Sequence, residues 1–491
     1  MISGEGQDEN IQELDDSVVS AEHTSRTLVP LAFLGLGLYR AWIEIVFVGS
    51  FVPFQVATLS VRDVFDWSMV AVSLLCVLLA RKISPFYNKR SVFIGAATLT
   101  TVATVLMFLT CWMPEPPEVW YGVLASVLGG SGIALIILIW SELYGCLNPV
   151  RVALYYSGSI VVGALVIYVY MGFLPPWVFA MSALLPACSL LCARRGFGEL
   201  AAEDKPSLTW LSFKVPWKAM VFMAAYALGY GLMETHMYVD LFGPHSTPGT
   251  LLMGVLVFVF VLVRGDKFNF GIIYRVALPL IVVALFLVPA FGHVPRSVAG
   301  WCMAAAYTGQ SILIMLVMSS ICYRYGVSAI WLFGLERAVR QIAMWLGRML
   351  ATWAEGTQVL GASGEMIVSL LALAAVFAAA LLLFSERDLT SRWGADFIEG
   401  GVGAAVTMRK QALTDRCAEV ARTYKLSSRE EEVLVLLAKR KTVGIIQREL
   451  VIANGTAKAH VRHVYRKLGI HTRQELFDLL GVDSEETLRE L

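Results

Sequence analysis

Between residues 28 and 384 the chain is a succession of apolar runs near twenty residues long, the length an α-helix needs to cross a bilayer core. Such runs fall near 28–51, 65–80, 91–112, 119–140, 152–172, 174–193, 217–239, 249–264, 271–291, 297–320, 328–353 and 363–384, twelve in all. The second and eighth are short and the eleventh is polar. Composition agrees: 57% of residues are hydrophobic, only 16% are charged, and the mean hydropathy is +0.67. Soluble domains carry about 25% charged residues, so this chain falls in the membrane class. The eight cysteines lie singly, mostly inside apolar runs, with no CxxC or Cys/His ligand spacing. They imply neither a disulfide framework nor a zinc site. Residues 1–27 are acidic and lack the basic start of a signal peptide, so a disordered cytoplasmic tail is expected there.

The loops between the runs indicate an orientation. With the N-terminus inside, the inner loops hold Arg81, Lys82, Lys89, Arg90, Arg151, Arg194, Arg195, Lys205, Lys214, Lys218, Arg264, Lys267, Arg275 and Arg324. The outer loops hold Arg62 and Arg296. Fourteen against two follows the positive-inside rule, and an even span count returns the chain to the cytoplasm near Ser385. A short repeat accompanies this pattern. LGLGL at 34–38 and LGYGL at 228–232 each lie midway through the first span of a six-span half, and the polar stretch 194–214 separates the halves. Six plus six spans with a central inner loop resembles the major facilitator superfamily of transporters. The resemblance is one of architecture: ARKISPFYNKR, between the second and third runs, is basic but lacks that family's glycine and aspartate pattern.

Ionisable residues within spans are costly and need partners. Arg40 and Glu44 are four apart on the first run, as are Glu336 and Arg340 on the eleventh, which also holds Arg337 and Arg348. Glu234 and His236 lie on the seventh, Glu234 roughly aligned with Arg40. Two readings stand side by side. Either these groups pair with one another and hold the bundle together, or Arg40, Glu44, Glu234, His236, Glu336 and Arg340 surround a ligand pocket near the midplane. Gln55, Gln310 and Gln341 are available as further donors, and an anionic ligand would suit Arg40 and Arg340.

Beyond a connector over 385–424, the pattern changes at Leu426. Ser427 and Glu430 have capping-box spacing, opening a helix with Val433, Leu434, Leu436 and Leu437 on its inner face. A short helix is expected near Val443–Leu450, burying Ile446 and Leu450, then a turn, Val451–Asn454. A third helix is expected from about Gly455 to Leu468, where Gly469 stops it. Its apolar stripe contains Ala457, Val461, Val464 or Tyr465, and Leu468. Its opposite stripe is Lys458, Arg462 and Arg466 at i, i+4, i+8 spacing. Thr472 and Glu475 repeat the capping-box spacing before Leu476, Leu479 and Leu480. From Lys425 to Val482 eleven Lys and Arg stand against six Asp and Glu, a net charge of +5. Two helices joined by a tight turn, the second basic outside, are what docking in a major groove requires.

LSSREEEVLVLLA, the spaced Ile446 and Leu450, and TAKAHVRHVYRKLGIHTRQEL resemble the LuxR-type helix-turn-helix over about 55 residues. The resemblance implies that Thr456, Lys458 and Arg462 face DNA, that Ala457 lies near a base edge, and that Lys467 meets phosphate. Glu430 would brace the fold and His460 would be structural or backbone-contacting. Arg466 and His463 complete the candidate DNA-facing set, although His463 also reads as solvated surface rather than a metal ligand. Residues 473–480 would form the dimerising helix, through Arg473, Leu476, Phe477 and Leu480. Four positions depart from the family pattern: Arg440 for Gly, Gln447 for a small residue, Ala453 for the capping Ser, with Asn454 as the expected substitute cap, and Ala457 for Val.

The expected fold is all-α: a polytopic transmembrane bundle of about twelve spans over 28–384, a linker over 385–424, and a small four-helix DNA-binding domain over 425–484. The leading functional expectation is a bacterial, membrane-bound one-component transcription regulator with both termini in the cytoplasm. It would bind double-stranded DNA as a homodimer, sit among membrane lipids and sense an unidentified small molecule or a membrane state. The alternative is a transporter whose DNA-binding head is secondary. The sequence holds no nucleophile–base set, phosphate loop or metal motif, so neither an enzyme nor a cofactor is expected.

Overall fold

In the computed structural model, the residues described are 30–48, 59–110, 117–200, 204–206, 217–237, 243–264, 270–287, 296–356, 370–379, 413, 416–439 and 441–481. All regular structure among them is helical. The chain forms two compact units. The larger contains α1 (Leu36–Ile43), α2 (Leu59–Ile83), α3 (Arg90–Thr110), α4 (Pro117–Tyr144), α5 (Pro149–Tyr170), α6 (Pro175–Ser182) and α7 (Leu185–Gly198). After these come α8 (Trp217–Met237), α9 (Pro248–Arg264), α10 (Phe270–Val282), α11 (Arg296–Tyr325), α12 (Ala329–Gly356) and α13 (Leu370–Ala379).

Seven described helical stretches are long and apolar enough to cross a bilayer: Leu31–Val48, Val61–Ile83, Arg90–Thr110, Trp120–Tyr144, Pro149–Tyr170, Pro175–Gly198 and Ser297–Tyr323. Pro248–Val263, Val276–Leu285 and Leu370–Ala379 are apolar but shorter, and α12 carries Glu336, Arg337, Arg340 and Arg348 along its length. The outside of the bundle is greasy. Leu74, Leu75 and Leu78 of α2, Ile94 and Val105 of α3, and Leu252, Leu256 and Val259 of α9 are exposed, while Asp66, Glu234 and Arg348 are buried. That inversion suits lipid, which tolerates exposed Leu and penalises exposed charge.

Local chemistry explains where the helices differ from the expected runs. The second span is 59–83 rather than 65–80, because its first turns absorb Arg62, Asp63 and Asp66, which a hydropathy reading trims away. Arg62 is therefore helical, not part of an outer loop. The sixth span breaks between α6 and α7, where Pro186 has no amide hydrogen for the Ser182 carbonyl. Pro279 inside α10 precedes a π-turn at Val283–Leu287, and a second π-turn, Glu44–Val48, ends the first span.

The glycine repeat has a structural counterpart. In the first half α1 crosses α5 so closely that a methyl on Gly37 would lie 2.2 Å from the Ser159 carbonyl oxygen and 2.7 Å from the Gly163 nitrogen. In the second half α8 crosses α12 the same way: a methyl on Gly231 would lie 2.1 Å from the Met344 carbonyl oxygen, and one on Gly347 would lie 2.3 Å from that of Leu228. Gly37 and Gly231 are the second glycines of LGLGL and LGYGL, so equivalent helices of the two halves meet through equivalent small residues. Gly231→Ala should therefore cost about 1–3 kcal/mol of bundle stability through overpacking. Thermal unfolding of the purified protein in detergent reads this. Gly95→Ala, where nothing lies within 4 Å of the added methyl, is the control, and equal melting temperatures for the two variants would contradict the crossing.

The second unit is the head. Residues 416–423 are helical (α14), followed by α15 (Ser428–Ala438), α16 (Val443–Leu450), α17 (Asn454–Leu468) and α18 (Arg473–Leu480). Its core joins Val433, Leu434 and Leu437 of α15, Ile446 and Leu450 of α16, and Val461, Val464 and Leu468 of α17, with Leu476 and Leu480 of α18. Cys417 of α14 is buried in the same core, and Arg416 donates to the carbonyls of Leu480 and Gly481 at 2.8 and 2.9 Å. The head thus takes in residues that the sequence reading left in the linker.

Candidate nucleic-acid interface and a buried polar cavity

Each helix of the head is fixed by its caps. Ser427 and Glu430 form the expected reciprocal box: the serine hydroxyl accepts the Glu430 amide, and the Glu430 carboxylate accepts the Ser427 amide at 2.7 Å. Thr442 caps α16, and Thr472 caps α18 by accepting the Glu475 amide. The second box is displaced, because the Glu475 carboxylate accepts the amide of His471 rather than that of Thr472. At the start of α17 the expectation fails. Ala453 occupies the cap position with no side-chain hydrogen bond, and Asn454 is already the first helical residue rather than a substitute cap. Two arginines then staple the helices. Arg429 donates to the Leu450 carbonyl at 2.9 Å, closing the end of α16, and Arg473 donates to the Lys441 carbonyl at 3.1 Å. The turn between α16 and α17 places Val451 in the left-handed region, with φ 53°, an uncommon conformation for a β-branched residue.

These constraints present α17 with two faces. Ala457, Val461, Val464 and Leu468 are buried; Arg462 and Arg466 are exposed, and Thr456 and Lys458 are half-buried at the same surface. Ala457 is wholly enclosed in the core, which corrects the expectation that it lies near a base edge: the stripe it belongs to is the one that holds the helix down. His463 and Lys467 turn toward α15. Lys467 Nζ lies 2.6 Å from Glu430 and donates to the Lys425 carbonyl at 3.3 Å, and His463 Nδ1 is 4.0 Å from the Glu430 carboxylate. A phosphate contact by Lys467 has that ion pair to compete with. The dimerisation set is corrected too. Leu476, Phe477 and Leu480 are buried within the head and Arg473 is tied to α15 and α16 neighbours, whereas Gln474, Asp478 and Leu479 face outward. Arg440 lies outside the described residues.

Glu430 carries a pH dependence. Desolvation pushes its carboxyl up, but the Lys467 ammonium and the Ser427 amide and hydroxyl outweigh it and hold the group near 2 against an ordinary 4.5. A depressed carboxyl stabilises the fold above its unfolded value, and that contribution disappears as pH falls from about 4.5 to about 2. Roughly 2–3 kcal/mol of head stability is expected to go over that window. Glu430→Gln should flatten the loss in chemical denaturation curves, and an unchanged acid limb would contradict it.

In the membrane half, charged groups from distant segments converge. Arg348 of α12 donates to Glu234 at 2.7 Å and to Asp63 at 3.0 Å, and also bonds Asp66. Arg62 adds contacts to Asp66 at 3.5 Å and to Glu234 at 3.4 Å. Glu336 and Arg340 pair as expected, 2.6 Å apart, with Arg340 also donating to Ser311 at 3.1 Å. Arg40 and Glu44 do not pair. The Glu44 carboxylate accepts the amides of Gly243, His245 and Ser246 and the Ser246 hydroxyl, while Arg40 lies 3.0 Å from His245 Nδ1. A turn N-terminal to α9 offers several amides at once, and that outcompetes a single guanidinium one helical turn away.

A cavity of about 90 Å³ opens between the two halves. Of the six expected pocket residues, Arg40, Glu234 and Arg340 line it. Glu44 is locked to its turn and Glu336 sits behind Arg340; the His236 side chain, like Gln55, lies outside the described residues. Gln341 lines the cavity, whereas Gln310 is buried elsewhere and its amide finds no hydrogen-bond partner among the described residues. Sequence reasoning missed Arg62, Arg337, His245 and the phenols Tyr39, Tyr156 and Tyr307, all of which line it. Three charges within the first eight residues of α2, beside an apolar run, were the available signal for Arg62 and its acidic neighbours.

Two short helices joined by a tight turn, the second basic outside and apolar inside, define a helix-turn-helix DNA-binding domain. More narrowly, residues 424–480 match the family of bacterial regulatory proteins known as the luxR family, and the head is a domain of that family. No curated protein matches the chain. Among solved structures, a bacterial homologue of the iron transporter ferroportin in an outward-facing state is 12% identical, with a TM-score of 0.49, covering 74% of this chain and 98% of its own. The human organic anion transporter MFSD10 is 15% identical, with a TM-score of 0.46 and coverages of 72% and 98%. The E. coli fucose:proton symporter FucP is 13% identical, with a TM-score of 0.45 and coverages of 72% and 97%. None of these likenesses assigns a residue role here.

Proposed function

We propose that the protein is a membrane-bound one-component transcription regulator of the bacterial cell membrane. The observation that carries this reading is the joining, in one chain, of a bundle with lipid-suited outer faces to a luxR-family head. A DNA reader held at a bilayer has its chromosome on one side only, so the C-terminal head is cytoplasmic, and an even span count with the positive-inside bias of the loops puts the N-terminus on the same side. The bundle senses a small molecule or a membrane state, and a coupling of about 1–3 kcal/mol between bundle and head changes operator occupancy several-fold or more. The heads bind two half-sites as a dimer, matching the two-fold symmetry of an operator, through the outward residues of α18 rather than its buried leucines. The buried charge clusters and the cavity between the halves support a second reading, a transporter whose head is secondary. Substrate-coupled uptake into vesicles, lost in Arg40→Ala, would favour that reading.

The topology is tested by a reporter fused after Leu491. Activity of a cytoplasm-dependent reporter is the expected result; activity of one that works only outside the cell would overturn the proposal.

A further inference from the structure

We propose that the cavity between the halves is a binding site for a small oxyanion, a carboxylate or phosphate group, held between Arg40 and Arg337. The inference rests on the sensor reading, because it names the ligand class for the same bundle. Four arginines line the cavity, and they are not equally engaged. Arg340 is matched by Glu336, and Arg62 by Asp66 and Glu234. Glu234, the carboxylate that also lines the cavity, is held by Arg348 and Arg62. Among the described residues Arg40 contacts only the ring nitrogen of His245, and Arg337 has no hydrogen bond or ion pair. Two half-buried guanidiniums without carboxylate partners among the described residues are costly, and an anion between them lowers that cost.

The rest of the lining suits the same guest. Tyr39, Tyr156 and Tyr307 line the cavity, and none of their hydroxyls makes a hydrogen bond among the described residues. Phenols donate to an oxyanion without adding charge, and guanidinium forks match the planar pair of oxygens of a carboxylate or two oxygens of a phosphate. A volume of about 90 Å³ admits several waters or an anion of a few heavy atoms. The site also touches both halves, since Arg40 comes from the first span and Arg337 from α12. An anion that bridges them favours the arrangement in which the two approach, the differential contact a signal requires.

The test uses full-length protein in lipid nanodiscs, titrated with sodium acetate, sodium benzoate and sodium phosphate against equal concentrations of sodium chloride. At least one probe should raise the melting temperature saturably above chloride, and the probe that does so separates carboxylate from phosphate recognition. Its apparent Kd should weaken at least tenfold in Arg40→Gln and in Arg337→Gln, with smaller losses in the two Lys variants. No saturable shift with any probe, or affinities within twofold of wild type in both Gln variants, would overturn the assignment. Should the variants fail to give a monodisperse protein, phenylglyoxal labelling of the wild type decides. The effective probe should protect Arg40 and Arg337 but leave exposed Arg462 reactive, and equal labelling with and without it would sink the site. Operator occupancy in cells is read separately. Binding without any change in occupancy leaves the anion site standing and rejects the sensor, whereas occupancy that responds to a signal without anion binding rejects the site alone.

Discussion

Replacing Arg348 with alanine is expected to cost the membrane half about 3–5 kcal/mol, the penalty for stripping one partner from a buried ion network. The guanidinium is about 1% exposed and serves Asp63, Asp66 and Glu234 together. Without it Asp63 loses its bond to the guanidinium, and Asp66 and Glu234, both buried, keep only the longer contacts that Arg62 makes among the described residues. The network joins α2 and α12 to α8, so its loss loosens the contact between the two halves. The expected readout is a collapse of monodisperse protein in detergent and a large fall in melting temperature. Arg348→Lys should recover only part of the loss, since a single ammonium cannot reach three carboxylates as a planar fork does. A variant as stable as the wild type would show that the cluster is dispensable to the fold.

The second large effect belongs to the head. Lys458→Ala and Arg462→Ala should each weaken specific DNA binding by roughly 1–3 kcal/mol if they meet base edges, and the pair together should leave little discrimination between operator and random duplex. Both residues lie on the outer stripe of α17, away from the core face that carries Val461 and Val464, so the fold survives their loss. Arg466→Ala, farther along the same stripe, should lower affinity about equally for all sequences and flatten its salt dependence, as a phosphate contact does. Operator and random duplex, titrated at two salt concentrations, separate the two behaviours. Unchanged binding in both Lys458→Ala and Arg462→Ala would reject the placement of α17 on DNA.

The head was legible because its information is local. Cap spacing, helix period and the stop at Gly469 lie within a few residues of one another, and α15, α16 and α17 follow them closely. Ala453 is the exception: a missing cap oxygen was visible, but the expectation that Asn454 replaces it was not met, since the asparagine enters the helix. Ala457 and the α18 leucines show a related limit. Family position assigned them outward roles, while the periodicity that makes them apolar already put them inside. In the membrane half, intrahelical pairs were within reach of spacing, and Glu336–Arg340 forms. Pairs set by the tertiary fold were not: Arg348 meets Asp66 across 282 positions of chain, and Glu44 meets a turn about 200 positions away. Hydropathy hid Asp63 and Asp66 by trimming the helix that holds them. The glycine repeat was visible as letters, but its use as two equivalent helix crossings depends on which helices touch.

The central claim, a bundle in the bilayer presenting a DNA-reading head to the chromosome, is tested most directly by cross-linking in intact cells. The DNA held by the full-length protein is sequenced beside that held by the Lys458→Ala/Arg462→Ala double variant at equal membrane abundance. Discrete enriched sites with paired half-sites in the wild type, lost in the double variant, are the predicted result. Identical DNA recovered with both proteins, or no discrete site with either, would contradict it.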